Sequence, residues 1–278
     1  KATLLWVLDK TRTNMGARNL RRWLEQPLRD SAAINERLDS VEELVKNTRM
    51  RTNLYDMLAD IKDIERLTSK VAYGTPTPKD LLALGLSLKA LPKVKILMSN
   101  AKSKMLCGIY EGIYLLEDVA QKLVDAIDEN PPALMKDGGF IKEGYCKELD
   151  ELRHAGSLGK QWLANLETQE KESTGIKNLK VGYNKVFGYY IEVSKTNVDK
   201  VPYRYQRKQT LTTGERYITQ ELKEIEEKLL GAKENALEIE NRIFEELKLD
   251  LLKVIAQLQS TSKSVAYCDS LLSLAVVA

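Results

Sequence analysis

The sequence predicts a mainly α protein: a helical core with two long coiled-coil-like helices that carry a small inserted antiparallel β domain. Three observations predict it. Tyr145, Leu149, Leu152, Gly156, Gly159, Leu163 and Leu166 alternate spacings of four and three, which is a heptad seam. Leu222, Ile225, Leu229, Ala232, Ala236, Ile239 and Ile243 form a second seam, continuing after a skip through Leu247, Leu251, Val254 and Leu258. Between them, Lys177 to Tyr217 shows no helical period and reads as short strands and turns.

The chain before the first seam reads as helices. Leu4 to Leu8 is a short apolar stretch, expected as a strand or buried extended segment. Met15, Leu20, Trp23 and Leu24 mark a helix that Pro27 ends. Asp30 or Ser31 can cap the next helix, whose stripe is Ile34, Leu38, Val41, Leu44 and Val45. A further helical run is expected from Met50 to Val71, broken by Gly74-Thr75-Pro76-Thr77-Pro78. Asp80 to Met98 resumes helix, with a kink or end near Pro92, and Ile109 to Ile127 follows, stopped by Asn130-Pro131-Pro132.

The two seams bracket one insert, and the simplest geometry is an antiparallel helix pair with the insert at its far end. The two glycines weaken the first helix but let a partner approach closely. No proline interrupts the second seam, so a helix of about 38 residues, ~57 Å long, is expected after a cap at Thr219. Two unrelated amphipathic helices packing separately would give the same periodicity.

Within the insert, strands are expected at Lys177 to Tyr183, Phe187 to Ser194, Tyr205 to Leu211 and Arg216 to Ile218. A tight turn at Asn184-Lys185 joins the first pair and Thr212-Thr213-Gly214 the second. Counting directions as out, back, out and back puts both turns at the distal tip and the Lys195 to Tyr203 loop at the near end. The insert holds nine Lys and Arg against three carboxylates, and seven of the chain's eighteen aromatic residues. Positive charge interleaved with aromatics on strands is the footprint of a nucleic-acid backbone reader; a basic but inert surface hairpin shares that composition. At the tip, Lys185, Lys208 and Arg216 would neutralise phosphates, while Asn184, Thr210, Thr212 and Thr213 would donate hydrogen bonds to phosphate oxygens. Nothing in that set reads bases.

Composition narrows the remaining classes. The chain has 278 residues, 43% hydrophobic and 30% charged, with a formal net charge of +3, as in a helix-rich soluble protein. No apolar run approaches the ~20 residues of a membrane span. Cys107, Cys146 and Cys268 show no CxxC spacing and read as free thiols in a reducing compartment. The lone His154 lies off its seam and is expected in solvent, and no metal set or catalytic constellation is legible. Lys1 without a Met and Ala278 inside an apolar run suggest a piece of a longer protein.

Gly182-Tyr183-Asn184-Lys185-Val186-Phe187-Gly188-Tyr189-Tyr190-Ile191-Glu192-Val193 resembles the clamp of the MutS family of DNA mismatch repair proteins. So does Gln209-Thr210-Leu211 through Glu215-Arg216-Tyr217 to Glu221-Leu222-Lys223. Leu5-Trp6-Val7-Leu8-Asp9-Lys10-Thr11 with Arg21-Arg22-Trp23-Leu24-Glu25-Gln26-Pro27-Leu28 resembles the opening of the family's core domain. The resemblance is collinear over the whole chain. It implies residues 1–174 and 220–278 as two parts of a core/lever domain and residues 175–219 as an inserted β clamp. It further implies duplex DNA held by its backbone, a homodimer in the parent protein, a MutL-type partner, and a cytoplasmic, nucleoid-associated location in bacteria. The family's ATP and Mg belong to an ATPase domain whose G-x-x-x-x-G-K-[ST] motif does not occur here, so no cofactor and no catalysis are expected of this chain. Its mismatch-recognition domain and connector are not matched either. Thr212 stands where many relatives carry Lys, which makes one implied phosphate contact neutral. A coiled-coil spacer or dimerisation arm and an RNA-binding helical hairpin are the rival readings.

Overall fold

The computed structural model describes residues 3–184, 186 and 188–278, with Lys160 described by its backbone alone. Eleven α-helices and four strands are described, in two compact units. The first comprises residues 1–135, 139–142 and 242–278; the second comprises residues 136–138 and 143–241.

In the first unit, α1 (Leu4–Leu8) is a helix and not the expected strand. An unbroken apolar run carries no period to separate the two, and the Thr3 hydroxyl decides locally by accepting from the Trp6 N–H. Helices α2 (Asn14–Glu25) and α3 (Ser31–Lys46) fall where expected, and the Asp30 carboxylate caps α3 by accepting from the Ala33 N–H. The expected run from Met50 to Val71 is broken. Helix α4 (Thr48–Met57) tightens into a 3₁₀ turn at Leu58–Asp60, and Asp63 caps a separate α5 (Ile64–Ala72). Next comes α6 (Pro78–Leu97), opened by a Thr77–Asp80 capping box with proline in its first turn. It runs on through Pro92, because Leu88, Leu91 and Val94 are fully buried and their packing outweighs the lost N–H. The helix expected over Ile109 to Ile127 is likewise two, α7 (Lys104–Gly112) and α8 (Glu117–Ala126), separated where Leu116 takes a left-handed φ of 49°.

The last helix of this unit, α11 (Ile255–Val277), is buried on nearly every side and packs against α2, α3, α4, α5 and α7. Its small polar residues are satisfied internally: the Asp269 carboxylate accepts from the Arg12 and Thr13 N–H groups and the Thr13 hydroxyl. Burial nevertheless pushes that carboxyl above its usual range.

In the second unit, α9 (Lys147–Thr174) and the start of α10 (Gln220–Lys253) bracket the sheet. Helix α10 is 34 residues long and stops at Val254. The expected continuation through Leu258 belongs to α11 instead, because Val254 leaves helical geometry with φ −110° and ψ 16°. Residue numbers on α9 rise as those on α10 fall: a Cβ on Gly159 would meet Leu229 at 2.4 Å, while Arg153 pairs with buried Glu240. The pair is therefore antiparallel, as the seams predict. The close approach is made at Gly159 alone, since a Cβ on Gly156 would meet nothing within 4 Å. His154 is exposed, as expected.

The sheet has strands β1 (Lys180–Asn184), β2 (Gly188–Ser194), β3 (Gln206–Thr210) and β4 (Gly214–Ile218), ordered β1-β2-β4-β3, with every pair antiparallel. Ile191, Val193 and Tyr217 from one face join Leu163, Leu166 and Leu222 of the helices in a single core. Alternation along β2 sends Tyr190 and Glu192 to the other face.

Candidate nucleic-acid interface

The register overturns the expected ends of the insert. Ser194, the last residue of β2, lies opposite Gly214, the first of β4, and the Lys195 N–H donates to the Thr213 carbonyl at 3.2 Å. The Thr212-Thr213 turn therefore sits beside the Lys195–Lys200 3₁₀ turn, not across the sheet from it. Asn184 and Gly188 close the β1–β2 hairpin at the opposite end. Counting failed because it alternated the strand directions and so made β3 run opposite to β2. In fact β3 pairs with β4, so residues 195–205 recross the full length of the sheet and β2 and β3 point the same way.

The two ends differ in chemistry. At the β1–β2 hairpin, the Tyr189 N–H donates to Glu226 of α10 at 3.1 Å, which ties this end to the helix. The Asn184 side chain is used locally, accepting from the Val186 N–H at 2.8 Å. Lys185 and Phe187 lie outside the described residues.

The opposite end gathers hydroxyls, amides and lysines from four separate stretches of sequence. The Asn178 amide donates to Ser194 Oγ at 2.8 Å, and Asn197 donates to the Asn178 carbonyl oxygen at 2.9 Å. Ser194 Oγ also lies 3.0 Å from Thr196 Oγ1. This net fixes the start of the insert, the end of β2 and the following turn to one another. Around it, Lys177, Lys180, Lys195, Thr196, Thr210, Thr212 and Thr213 are exposed. Gly214 holds the adjoining turn close to β2, because a Cβ there would meet the Val193 carbonyl oxygen at 2.3 Å. Lys208 is the extra residue of a β-bulge between Arg207 and Gln209 on the edge strand, and it too is exposed. None of these four lysines (177, 180, 195, 208) has an ion-pair partner among the described residues.

Arg216 differs from the sequence expectation. Its Nε donates to Glu192 at 3.0 Å and its Nη1 to Gln209 at 3.0 Å, while the guanidinium stacks on Tyr190 at 4.1 Å. It braces three strands across the outer face of the sheet and is mostly covered. Arg204 and Arg207 are also engaged, with Glu170 and Glu215. Sequence reasoning passed over Glu170, which is buried on α9. It accepts from Arg204 at 2.5 Å and from the Tyr205 hydroxyl at 2.7 Å, pinning the recrossing segment to the helix. Burial, followed by that hydrogen bond, drives the Tyr205 hydroxyl well above its ordinary pKa; burial and Glu215 push Tyr217 up to about 12.

The family model described as MutS domain III matches residues 1–275. The DNA mismatch repair protein MutS of Caldanaerobacter subterraneus subsp. tengcongensis is 50% identical over 278 residues, covering 100% of this chain and 32% of that protein. The same-named protein of Desulforamulus reducens is 47% identical over 278 residues, 100% of this chain and 32% of its own. That of Clostridium botulinum (strain Loch Maree / Type A3) is 48% identical over 279 residues, 100% of this chain and 30% of its own. The chain thus spans about a third of the length of the curated relatives it matches.

Proposed function

We propose, for a chain that belongs to the MutS domain III family, that its β insert holds the backbone of duplex DNA without reading sequence, and that α9 and α10 act as levers that transmit its position. On this reading residues 175–219 are the clamp, and residues 1–174 and 220–278 are the two parts of the core/lever domain. The observation that carries the proposal is the convergence of Lys195, Thr196, Thr210, Thr212 and Thr213 at one end of the sheet, with Lys177, Lys180 and Lys208 nearby and none of these lysines in an ion pair among the described residues. Lysines without internal partners release counterions when they meet phosphates, and hydroxyls complete the phosphate hydrogen bonds.

Of the residues the sequence suggested, Lys208, Thr210, Thr212 and Thr213 keep that role. Asn184 and Arg216 become structural, and Lys185 is assigned nothing. Homodimer closure around the duplex, a MutL-type partner, ATP and Mg bound elsewhere in the parent protein, and a cytoplasmic location accompany the family reading as proposals. Catalysis is not proposed for this chain. Among the described residues no helix is long and apolar enough to cross a membrane.

The test is fluorescence anisotropy of a labelled duplex titrated with the chain at stepped salt, with structured RNA as competitor. Weak binding is expected, in the ~10⁻⁴–10⁻⁶ M non-specific range, steeply salt-dependent and equal for matched and mismatched duplex. Salt-independent or absent binding would favour the spacer reading. Displacement by RNA at lower concentration than by DNA would favour the RNA-binding hairpin.

A further inference from the structure

A second cationic site lies in the first unit. A cavity of about 910 Å³ opens between α2, α3, α5 and α11, with Arg18, Arg22, Arg37 and Lys263 on its walls and Glu65 as its one carboxylate. Glu65 is already committed, since it and Asp63 both accept from Arg18 at 2.6 Å. Arg22, Arg37 and Lys263 have no carboxylate partner among the described residues. Arg22 donates only to the Asn19 side-chain oxygen, at 2.9 Å.

Arg37 is the most telling of these. Its guanidinium lies 3.7 Å from the Trp23 ring centroid, and its Nε is covered from solvent with no hydrogen-bond acceptor. The Thr68 hydroxyl, on the same cavity wall and also buried, lacks a partner too. Trp23 packs edge-on against Tyr267 at 5.4 Å, and the Lys263 ammonium lies 5.5 Å from the Tyr267 ring centroid. Each ring of the pair thus carries one cation, Arg37 on Trp23 and Lys263 on Tyr267. A guanidinium that has lost part of its water and gained no acceptor is where an incoming oxyanion gains most.

We propose that this cavity is a binding site for a phosphate-bearing small molecule, with Arg37, Arg22 and Lys263 as its charge partners. The charge count selects phosphate over carboxylate. One carboxylate would leave two of the three cations uncompensated, whereas a polyphosphate carries enough charge for all three. The planar Arg37 fork suits bidentate contact with phosphate oxygens, and the Trp23–Tyr267 edge offers apolar contact to whatever the phosphate is attached to. The site is independent of the β insert, which shares no residue with it.

The experiment follows the indole N–H resonance of Trp23 by NMR while the full chain is titrated with pyrophosphate. Sodium chloride at matched ionic strength and a glutamate-rich peptide are the comparison titrations. A saturable shift with pyrophosphate, absent with chloride, is expected. Arg37→Gln should weaken it by about tenfold or more, the loss of a charge-assisted hydrogen bond. Arg22→Gln changes an exposed residue, so it should weaken binding without altering the rest of the spectrum. No shift with pyrophosphate, an equal shift with chloride, or full affinity in Arg22→Gln and Arg37→Gln would overturn the proposal. Tighter binding of the glutamate-rich peptide than of pyrophosphate would overturn the phosphate assignment and make the cavity a polypeptide-docking site.

Discussion

Replacing Lys195 with Ala tests whether its end of the sheet meets DNA. Lys195 is exposed, has no ion-pair partner among the described residues, and stands beside Thr213 through a backbone hydrogen bond of 3.2 Å. Its removal should leave the fold intact. If it neutralises one phosphate, the slope of log K against log salt should fall by roughly 0.9, so across a fourfold change in salt the wild-type chain should lose about 3.5-fold more affinity than the variant. Lys208→Ala should do the same, and the double variant should lose about twice as much slope. Arg216→Ala removes the same charge from the same sheet but should leave the slope unchanged, because its guanidinium is occupied by Glu192 and Gln209. It should instead lower the thermal stability of the insert by roughly 1 kcal/mol, as expected for a partly exposed charged hydrogen bond. The assay is anisotropy at stepped salt beside a thermal melt of each variant. A reduced slope in Arg216→Ala with none in Lys195→Ala would refute both the phosphate contact at Lys195 and the bracing role of Arg216. Equal reductions in all variants would mean a diffuse basic surface.

The helix pair yields two opposite expectations by thermal denaturation. Gly156→Ala should stabilise by up to about 1 kcal/mol from helix propensity, while Gly159→Val should destabilise by about 1–3 kcal/mol by crowding Leu229. Glu170→Ala strips the buried acceptor from Arg204 and Tyr205, so proteolysis should accelerate within residues 195–205, at a stability cost of about 1–3 kcal/mol. Asp250 is held down to about 2 by hydrogen bonds from Lys122 and Lys253. A depressed carboxyl stabilises the fold above its unfolded pKa and loses that contribution as pH falls through the folded one. Asp250→Asn should therefore cost no more than about 1 kcal/mol near neutrality and progressively less as pH falls through the folded pKa, flattening the acid limb of a plot of Tm against pH.

The sequence by itself determined the architecture of the second unit. Heptad spacing is a local property, and Leu149, Leu163, Leu166, Leu222 and Ile239 are all buried as their seams require. The positions of the four strands, separated by turn residues and a proline loop, were legible for the same reason. Tertiary structure alone decided where chain-remote groups met. Whether β3 runs against β2 or alongside it depends on the path of residues 195–205, which carries no periodic signal, and that choice brought Lys195 to the end that carries Thr212 and Thr213. Whether a basic residue is free or spent depends on a cross-strand partner: Arg216 has Glu192 and Gln209, Lys208 bulges outward, and the two look alike in one dimension. Helix α11 hides for a related reason. Its serines and Asp269 read as polar, and only their hydrogen bonds to segments some 250 residues earlier make their burial affordable. Periodicity reports which face of an element is covered; register and pairing, which set the chemistry of a surface, arise from contacts between segments that the chain order does not bring together.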